Sequence, residues 1–292
     1  MFWQVWMTKL GVILAGGKGT RLFPLTLCVN KHLLNVYNKP MIYYPLTNLI
    51  MLNCTRIIII TNNKDVSIFE PIVFLLNKLN IDCEIKVQSD NPGIPSAIYD
   101  AINGEKFKEL YVILGDNIFF GNGFFQSVLS SKAENLIITK SVKDPSEFGI
   151  LSNEQNIPKM IEKPKEYVGD QAVTGFYRFG SSIVKVLESC VPSDRGETEI
   201  ADVINFILSS SEEELEILEL TRATLWLDAG TAENLSNTNV LVAQICQRQG
   251  QDFGSIEEAA LQNEYISRPE FKELIKYYPR NSYLKYLESL VE

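Results

Sequence analysis

The first half of the sequence alternates short runs of apolar, mostly β-branched residues with stretches of helical periodicity. The apolar runs are 11–15, 56–61, 83–88 and 110–116. The helical stretches between them are 40–53, 65–80 and 95–103. Runs that are apolar throughout are typical of parallel strands buried on both faces, and this order predicts a doubly wound, mostly parallel α/β sheet. Ligands bind such sheets beyond the carboxyl ends of the strands, so the motifs that follow each strand carry the functional prediction.

The rest of the chain follows a different pattern. Short apolar runs at 136–142, 148–151, 158–164 and 172–179 predict a small mixed-sheet insertion or a flap over the site. From residue 232 the pattern is helical to the end, with a break near 250–255. We therefore predict an N-terminal extension over 1–8, a main domain over 9–231 and a helical region over 232–292.

Composition excludes several classes of function. The 292 residues carry 36 acidic and 27 basic side chains, a net charge of -9, which disfavours binding of a nucleic acid polymer. The five cysteines are an odd number without a C-x-x-C pair, so we expect neither disulfides nor structural zinc, but a reducing, cytoplasmic environment. The single histidine excludes sites that need two, and no run is long and apolar enough to suggest membrane insertion.

A glycine-rich loop follows the first predicted strand directly. Gly16, Gly17 and Gly19 allow the backbone to approach a ligand closely, and successive free N–H groups in such a turn bind anions. Arg21 follows at once, with a planar fork that suits phosphate oxygens. The loop matches neither G-x-G-x-x-G nor G-x-x-x-x-G-K-[ST], which weakens the dehydrogenase and P-loop interpretations. We predict a phosphate site of another kind.

An ordered series of motifs carries a resemblance to a known family. LAGGKGTRLFPLT (14–26) and NKHLLNVYNKPMIYYPL (30–46) resemble the amino-terminal signature of glucose-1-phosphate thymidylyltransferases of the short, homotetrameric type. The likeness continues through LGDNIFFG (114–121), EKP (162–164), AVTGFY (172–177), RGETEIADV (195–203) and WLDAGT (226–231). The resemblance implies a Rossmann-like nucleotidyltransferase domain over 9–231, with an oligomerisation or regulatory region over 232–292.

The implied reaction joins deoxythymidine triphosphate (dTTP) to α-D-glucose 1-phosphate and releases pyrophosphate, with Mg²⁺ as cofactor. The product, dTDP-glucose, would feed deoxysugar synthesis such as the dTDP-rhamnose route. The attacking phosphate oxygen is already an anion, so the reaction needs no nucleophilic side chain. Catalysis in such a transfer comes from positioning and from charge neutralisation.

The resemblance also assigns the site residues. The nucleotide-binding residues are Leu14, Gly16, Gly17, Gly19, Thr20, Arg21, Gln88 and Gly93. The sugar-phosphate-binding residues are Asp116, Gly149, Glu162, Lys163 and Val173. The catalytic cations are Arg21, Lys31 and Lys163, and the metal ligands are Asp116 and Asp228. An amide both donates and accepts, so Gln88 can pair with the O4 and N3–H edge of thymine.

The sequence departs from the family's pattern at His32 and Ser96, where glutamine is usual, and at Asn35, where proline is usual. We expect His32 to lie behind the site or at the surface, without direct chemistry. Two alternatives stay open: the same reaction with UTP or another sugar 1-phosphate, and a non-catalytic nucleotide-sugar sensor on the same fold. Because the chain keeps every charged residue assigned to the site, the enzyme is favoured over the sensor.

Overall fold

The computed structural model describes residues 9–153, 158–211, 213–250 and 252–292, so the predicted extension at 1–8 lies outside the described residues. The strands are β1 (Lys9–Leu14), β2 (Asn35–Val36), β3 (Lys39–Pro40), β4 (Arg56–Thr61), β5 (Asp82–Val87), β6 (Glu109–Leu114), β7 (Asn117–Phe120), β8 (Asn135–Ser141), β9 (Gly149–Ser152), β10 (Lys159–Glu162), β11 (Gln171–Gly180), β12 (Leu215–Glu219) and β13 (Leu225–Asp228). The α-helices are α1 (Tyr43–Met51), α2 (Val66–Lys78), α3 (Ile94–Ile102), α4 (Asn122–Ser130), α5 (Ile183–Glu188), α6 (Ile200–Ser209), α7 (Ala232–Gln249), α8 (Ile256–Gln262), α9 (Arg268–Ile275) and α10 (Ser282–Ser289).

The centre of the molecule is a parallel sheet in the order β6-β1-β4-β5. These are the four strands predicted from the apolar runs of the first half. Side chains of β4 alternate between its two faces: Ile57 and Ile59 pack with α1, α2 and the C-terminal helices, whereas Ile58 and Ile60 pack with α3, α5 and α6. Both faces are therefore covered by helices, as the doubly wound prediction requires. Each fully buried isoleucine contributes roughly 1.5–3 kcal/mol to stability.

The mixed-sheet region extends this sheet rather than forming a separate layer. β11 pairs antiparallel with β6, β8 and β9, and β10 pairs antiparallel with β9. The register of β11 shifts between Val173 and Tyr177, an irregularity between its two stretches of pairing with β8. β12, which the sequence analysis did not predict, runs parallel to β8 as an added strand.

A two-stranded sheet joins the amino-terminal half to the C-terminal helices. β13 pairs antiparallel with β7, with Asp228 opposite Asn117. Three residues separate the end of β13 from the start of α7, whose cap residue Thr231 accepts a hydrogen bond from the Asn234 amide at 3.2 Å. α7 ends before Gly250, in the predicted break, and α8 packs against α1. In the part of the chain that the structure describes, no helix is long and apolar enough to cross a membrane.

Candidate active site

A cavity of about 690 Å³ opens beyond the carboxyl ends of the parallel strands. Every residue that the resemblance assigns to the site lines it: Leu14, Gly16, Gly17, Gly19, Thr20, Arg21, Lys31, Gln88, Gly93, Asp116, Gly149, Glu162, Lys163, Val173 and Asp228. A larger cavity of about 1090 Å³ lies beside α1, α2 and α9 and contains none of these residues. The structure therefore brings the predicted residues together in one cavity, while their individual roles stay predictions.

One end of the cavity is formed by the glycine loop and the residues that follow β5. The side chain of Gln88 lies against Gly16. Asn62, which follows β4, donates a hydrogen bond to the Gly16 carbonyl at 2.6 Å and holds the loop in place. Gly93 lines the same end and precedes the first turn of α3. An amide group thus stands beside an exposed stretch of backbone, an arrangement that suits a flat, hydrogen-bonding ring.

The middle of the cavity holds two cations of the loop region, each near a carboxylate. The Lys31 ammonium lies 2.5 Å from Asp116 Oδ2, and the Lys31 side chain packs against Gly17. The Arg21 guanidinium lies 3.4 Å from Glu147 Oε2, and both side chains are more than half exposed. Arg21 is therefore free to turn toward a ligand at little cost, because an exposed ion pair contributes little stability.

Asp116 and Asp228 converge on the same point from different elements. The pairing of β13 with β7 brings Asp228 beside Asp116, and the Ala229 amide donates to the Asp116 carbonyl at 3.0 Å. A Cβ atom built on Gly230 would lie 3.0 Å from Asp228 Oδ1 and 3.5 Å from Asp116 Oδ2. Two carboxylates on either side of a residue without a side chain can share a cation.

The two carboxyl groups have opposite pKa shifts. Burial and the neighbouring charge of Asp116 raise the pKa of Asp228 above its usual range, although Arg21 and Lys31 oppose this. Burial also opposes ionisation of Asp116, but the charge and hydrogen bond of Lys31 outweigh it and hold the pKa of Asp116 below its usual range. Like charges held close together in a poorly solvated site produce this pattern, and a bound cation relieves it.

The other end of the cavity lies at the hairpin of β9 and β10. Glu162 stands opposite Gly149 in this hairpin, and the Lys163 ammonium is 3.9 Å from Glu162 Oε1. The backbone φ of Lys163 is 44°, a value that residues other than glycine rarely adopt. The Lys163 amide donates to the Phe148 carbonyl at 2.9 Å. Burial raises the pKa of Glu162; Lys163 opposes this, and the charge of Glu199 adds to it.

Comparison with known proteins then decides the family. The sequence model of the nucleotidyl transferase family matches residues 10–245 of this chain. The chain belongs to the nucleotidyl transferase family. It is 34% identical over 290 residues to the glucose-1-phosphate thymidylyltransferase of Neisseria meningitidis, covering 97% of this chain and 99% of the relative. The relative of the same name from Mycolicibacterium smegmatis is 32% identical over 286 residues, covering 97% of this chain and 99% of the relative.

Solved structures agree with this assignment. A Bacillus anthracis protein described as a glucose-1-phosphate thymidylyltransferase superposes with a TM-score of 0.70 at 34% identity, covering 80% of this chain and 95% of that one. A UDP-glucose pyrophosphorylase has a TM-score of 0.69 at 19% identity, covering 82% of this chain and 100% of that one, which supports the fold alone. The resemblance to the glucose-1-phosphate thymidylyltransferase family is confirmed, and so is the mostly parallel α/β sheet predicted from the order of apolar runs and helical stretches.

Asn117 of this nucleotidyl transferase is a site residue that the sequence analysis missed. Its Nδ2 donates to Asp116 Oδ1 at 3.2 Å, while its Oδ1 accepts from the Gly175 amide at 3.0 Å and from Trp226 Nε1 at 2.6 Å. Asn117 therefore orients Asp116 and connects β7, β11 and β13. Its position directly after Asp116, within the motif LGDNIFFG, was the signal that could have identified it.

His32 of the nucleotidyl transferase is buried and does not line the cavity. Its Nδ1 lies 2.8 Å from Asn30 Oδ1, and its backbone amide donates to the same oxygen at 3.0 Å. Burial, followed by the charge of Lys31, lowers the pKa of His32 to about 3, so the ring is neutral at pH 7. Of the two positions expected for His32, the structure selects the one behind the site.

Proposed function

We propose that this chain is a glucose-1-phosphate thymidylyltransferase, which transfers a deoxythymidylyl group from dTTP to α-D-glucose 1-phosphate and releases pyrophosphate. The relatives that bear this name support the reaction. The observation that carries the proposal is the order of groups along one cavity: the Gln88 amide at one end, Glu162 and Lys163 at the other, and two aspartates with cations between them. This order suits a nucleotide and a sugar phosphate that meet at one phosphorus atom.

In the proposed reaction the residues of the chain position the substrates and neutralise charge. Arg21 and Lys31 bind the triphosphate, whose β- and γ-phosphates leave together as pyrophosphate. Lys163 binds the phosphate of the sugar from its place directly after β10. An oxygen of that phosphate attacks in line on the α-phosphorus and needs no base, because it is already an anion. Two bound reactants aligned this way gain most of the rate advantage of an intramolecular reaction.

The chemistry of Asp116 and Asp228 fits Mg²⁺. Both offer hard carboxylate oxygens that face the same point, and burial and the charge of Asp116 raise the pKa of Asp228, which a further bound cation would lower. Among the described residues, no cluster of three or more His, Cys, Asp or Glu side chains could hold a metal alone, and Mg²⁺ commonly completes its shell with substrate phosphates and water. When bound, Mg²⁺ would neutralise phosphate charge and orient the reacting groups.

We propose a homotetramer as the working form, with subunit contacts made by the helical region that begins at residue 232. Val240 on α7 and Tyr277 after α9 are large apolar side chains that are 57% and 87% exposed. Contacts between subunits would cover such side chains. Light scattering at assay concentration tests the proposal, and a monomer would reject it. We place the enzyme in the cytoplasm, where its product would feed deoxysugar synthesis such as the dTDP-rhamnose route.

A substrate panel tests the proposed reaction. Pyrophosphate release is measured with dTTP, UTP, CTP and ATP against glucose 1-phosphate, galactose 1-phosphate and glucosamine 1-phosphate. We expect the highest kcat/KM for dTTP with glucose 1-phosphate. A higher value for UTP or for another sugar phosphate would assign the alternative substrate pair. Tight binding of dTDP-glucose without release of pyrophosphate from any pair would identify a sensor instead of an enzyme.

A further inference from the structure

Two segments that are distant in the sequence meet at the wall of the cavity. The loop that carries Gln88 ends at Gly93, and Gly93 forms a parallel bridge with Thr198. The Thr198 amide donates to the Pro92 carbonyl at 3.0 Å. The loop residues and Glu197 both line the cavity, so this junction connects the nucleotide end to the sugar end.

Thr198 caps the helix that begins at this junction. The first N–H groups of an α-helix have no partner within the helix, and a side chain at the N-cap usually accepts from one of them. The N-cap of α3 is Gly93, which has no side chain to do so. The Ser96 amide, in the first turn of α3, instead donates to Thr198 Oγ1 at 3.2 Å. A residue 102 positions away in the chain thus supplies the missing cap.

The backbone around Gly93 makes this arrangement obligatory. Gly93 has a φ of 121°, and a Cβ atom there would overlap the carbonyl oxygen and the hydroxyl of Thr198. A capping serine or aspartate at position 93 would therefore force the two segments apart. Thr198 lies too close to Gly93 for a capping side chain at that position, and the Thr198 hydroxyl caps the helix instead.

The hydroxyl of Thr198 has its full set of partners. It accepts from the Ser96 amide, lies 3.0 Å from Ser96 Oγ, and donates to the Pro92 carbonyl at 3.3 Å. The residue is 5% exposed, so water cannot readily replace these bonds. A buried polar group that loses its partners is costly, and this cluster holds its geometry for that reason.

The segment around Thr198 also acts on the sugar end. Arg195 lies 3.4 Å from Glu199 and 3.6 Å from Glu197, and the charges of both glutamates reach Glu162. A shift of Thr198 would therefore move groups at both ends of the cavity. The junction of Pro92, Gly93 and Ser96 with Thr198 forms a clasp between the two segments.

We propose that Thr198 is a positioning residue that determines nucleotide selectivity, because its hydroxyl fixes the Gln88–Gly93 loop to the segment that borders the sugar end. This inference rests on the proposed function, in which the Gln88–Gly93 loop contacts the base of the nucleotide. Ser96, which replaces the glutamine usual in the family, supplies the second hydroxyl of the clasp.

The test compares Thr198→Val, which keeps the shape and deletes the hydroxyl, with Thr198→Ser, which keeps the hydroxyl. Thr238→Val, at a buried threonine of α7 that does not line the cavity, is the matched control. We expect Thr198→Val to raise the KM for dTTP about tenfold and to reduce the preference for dTTP over CTP by a similar factor. Thr198→Ser should restore most of both values, and the control should change neither.

A purely structural role would lower the melting temperature without changing the ratio of kcat/KM values between nucleotides. An unchanged ratio in Thr198→Val, or an equal loss in Thr198→Ser, would overturn the proposal. If Thr198→Val does not fold, Ser96→Ala carries the test, because it deletes one bond of the clasp; a shift in the same direction of about threefold is expected. No shift in that variant would likewise reject the clasp.

Calorimetric titration with dTTP and CTP separates this inference from the proposed function. If the parent protein releases no pyrophosphate but Thr198→Val weakens dTTP binding relative to CTP, the proposed reaction fails and the clasp stands. If the parent turns over dTTP and Thr198→Val binds both nucleotides as the parent does, the reaction stands and the clasp is wrong.

Discussion

The two ends of the cavity are built by different means. The nucleotide end consists of loops after parallel strands, and much of its surface is backbone around Gly16, Gly17 and Gly19. The sugar end lies on antiparallel strands and presents side chains, chiefly Glu162 and Lys163. Backbone N–H groups bind any phosphate chain, whereas a carboxylate among strands reads particular hydroxyl groups. We infer that the backbone groups bind phosphate without selecting the substrate, and that selection of the base and of the sugar depends on a few side chains at each end.

The aspartate pair between the two ends should give the largest effect on mutation. Asp116→Asn and Asp228→Asn keep the size and remove one charge each. Since such electrostatic groups commonly contribute about 10²–10³ in rate, we expect kcat to fall by that factor with either substrate varied. Pyrophosphate release over a magnesium titration measures this, with Asp82→Asn at an exposed position on β5 as control. Near-normal turnover of both variants would refute the metal assignment.

Lys163→Ala and Arg21→Ala should separate the two ends. Each cation is assigned to a different phosphate group, and the loss of a charge-assisted hydrogen bond costs roughly 10–100-fold in affinity. We expect Lys163→Ala to raise mainly the KM for glucose 1-phosphate, and Arg21→Ala mainly the KM for dTTP. Steady-state kinetics with each substrate varied separately give the two KM values for each variant. Equal changes in both Michaelis constants in both variants would show that the ends do not act independently.

The same contrast explains what could be predicted from the sequence. The nucleotide end follows from local signals, because apolar runs such as 56–61 identify buried strands and their carboxyl ends must meet at one edge. Asp228 reaches Asp116 only through the pairing of β13 with β7, a contact between distant segments that no local pattern encodes. That placement came from the resemblance. Strand β12 was missed because its five residues follow three glutamates and include two more, so the segment lacks the continuous apolar run that identified the buried strands.

The clasp shows a second limit of prediction. Thr198 and Ser96 are ordinary small polar residues in the sequence, and neither position reveals a partner about a hundred residues away. Asn117 was equally inconspicuous, although its neighbour Asp116 was identified. Residues that orient the predicted groups are therefore harder to find than the groups themselves, because their role depends on three-dimensional contacts.

Gln88→Ala tests the side-chain reading of the nucleotide end. One amide held in a fixed orientation pairs with thymine or uracil, but not with cytosine, whose edge exchanges donor and acceptor. In Gln88→Ala we therefore expect the ratio of kcat/KM for dTTP to kcat/KM for CTP to fall roughly tenfold. UTP should remain a usable substrate, because the missing methyl group is worth only about 0.8 kcal/mol. An unchanged dTTP:CTP ratio in Gln88→Ala would mean that another group reads the base.

The smallest expected effect concerns stability and lies away from both ends of the cavity. Arg56, the first residue of β4, binds Glu105 through Nε at 2.7 Å and Nη2 at 2.9 Å, and Lys86 binds the same carboxylate at 2.9 Å. The hydrogen bond from Arg56 lowers the pKa of Glu105 from 4.5 to about 2, against the effect of burial and with help from Lys86. None of these residues lines the cavity, so they should affect folding and not turnover.

Glu105→Gln keeps the shape and should reduce the free energy of unfolding at pH 7 by about 1–2 kcal/mol, after allowance for partial solvent screening. Because the folded pKa is lowered, the stabilisation is present above pH 4.5 and is lost as the pH falls toward 2, since the unfolded chain takes up its proton first. Urea unfolding at pH 7 and pH 3 should therefore show a difference between parent and variant that shrinks at the lower pH, with the exposed Glu288→Gln as control. The kcat at pH 7 should match the parent. A fall in kcat without loss of stability would mean that Glu105 affects the cavity from the opposite end of the sheet. The residues that stabilise the fold and those that carry the reaction would then not be separate.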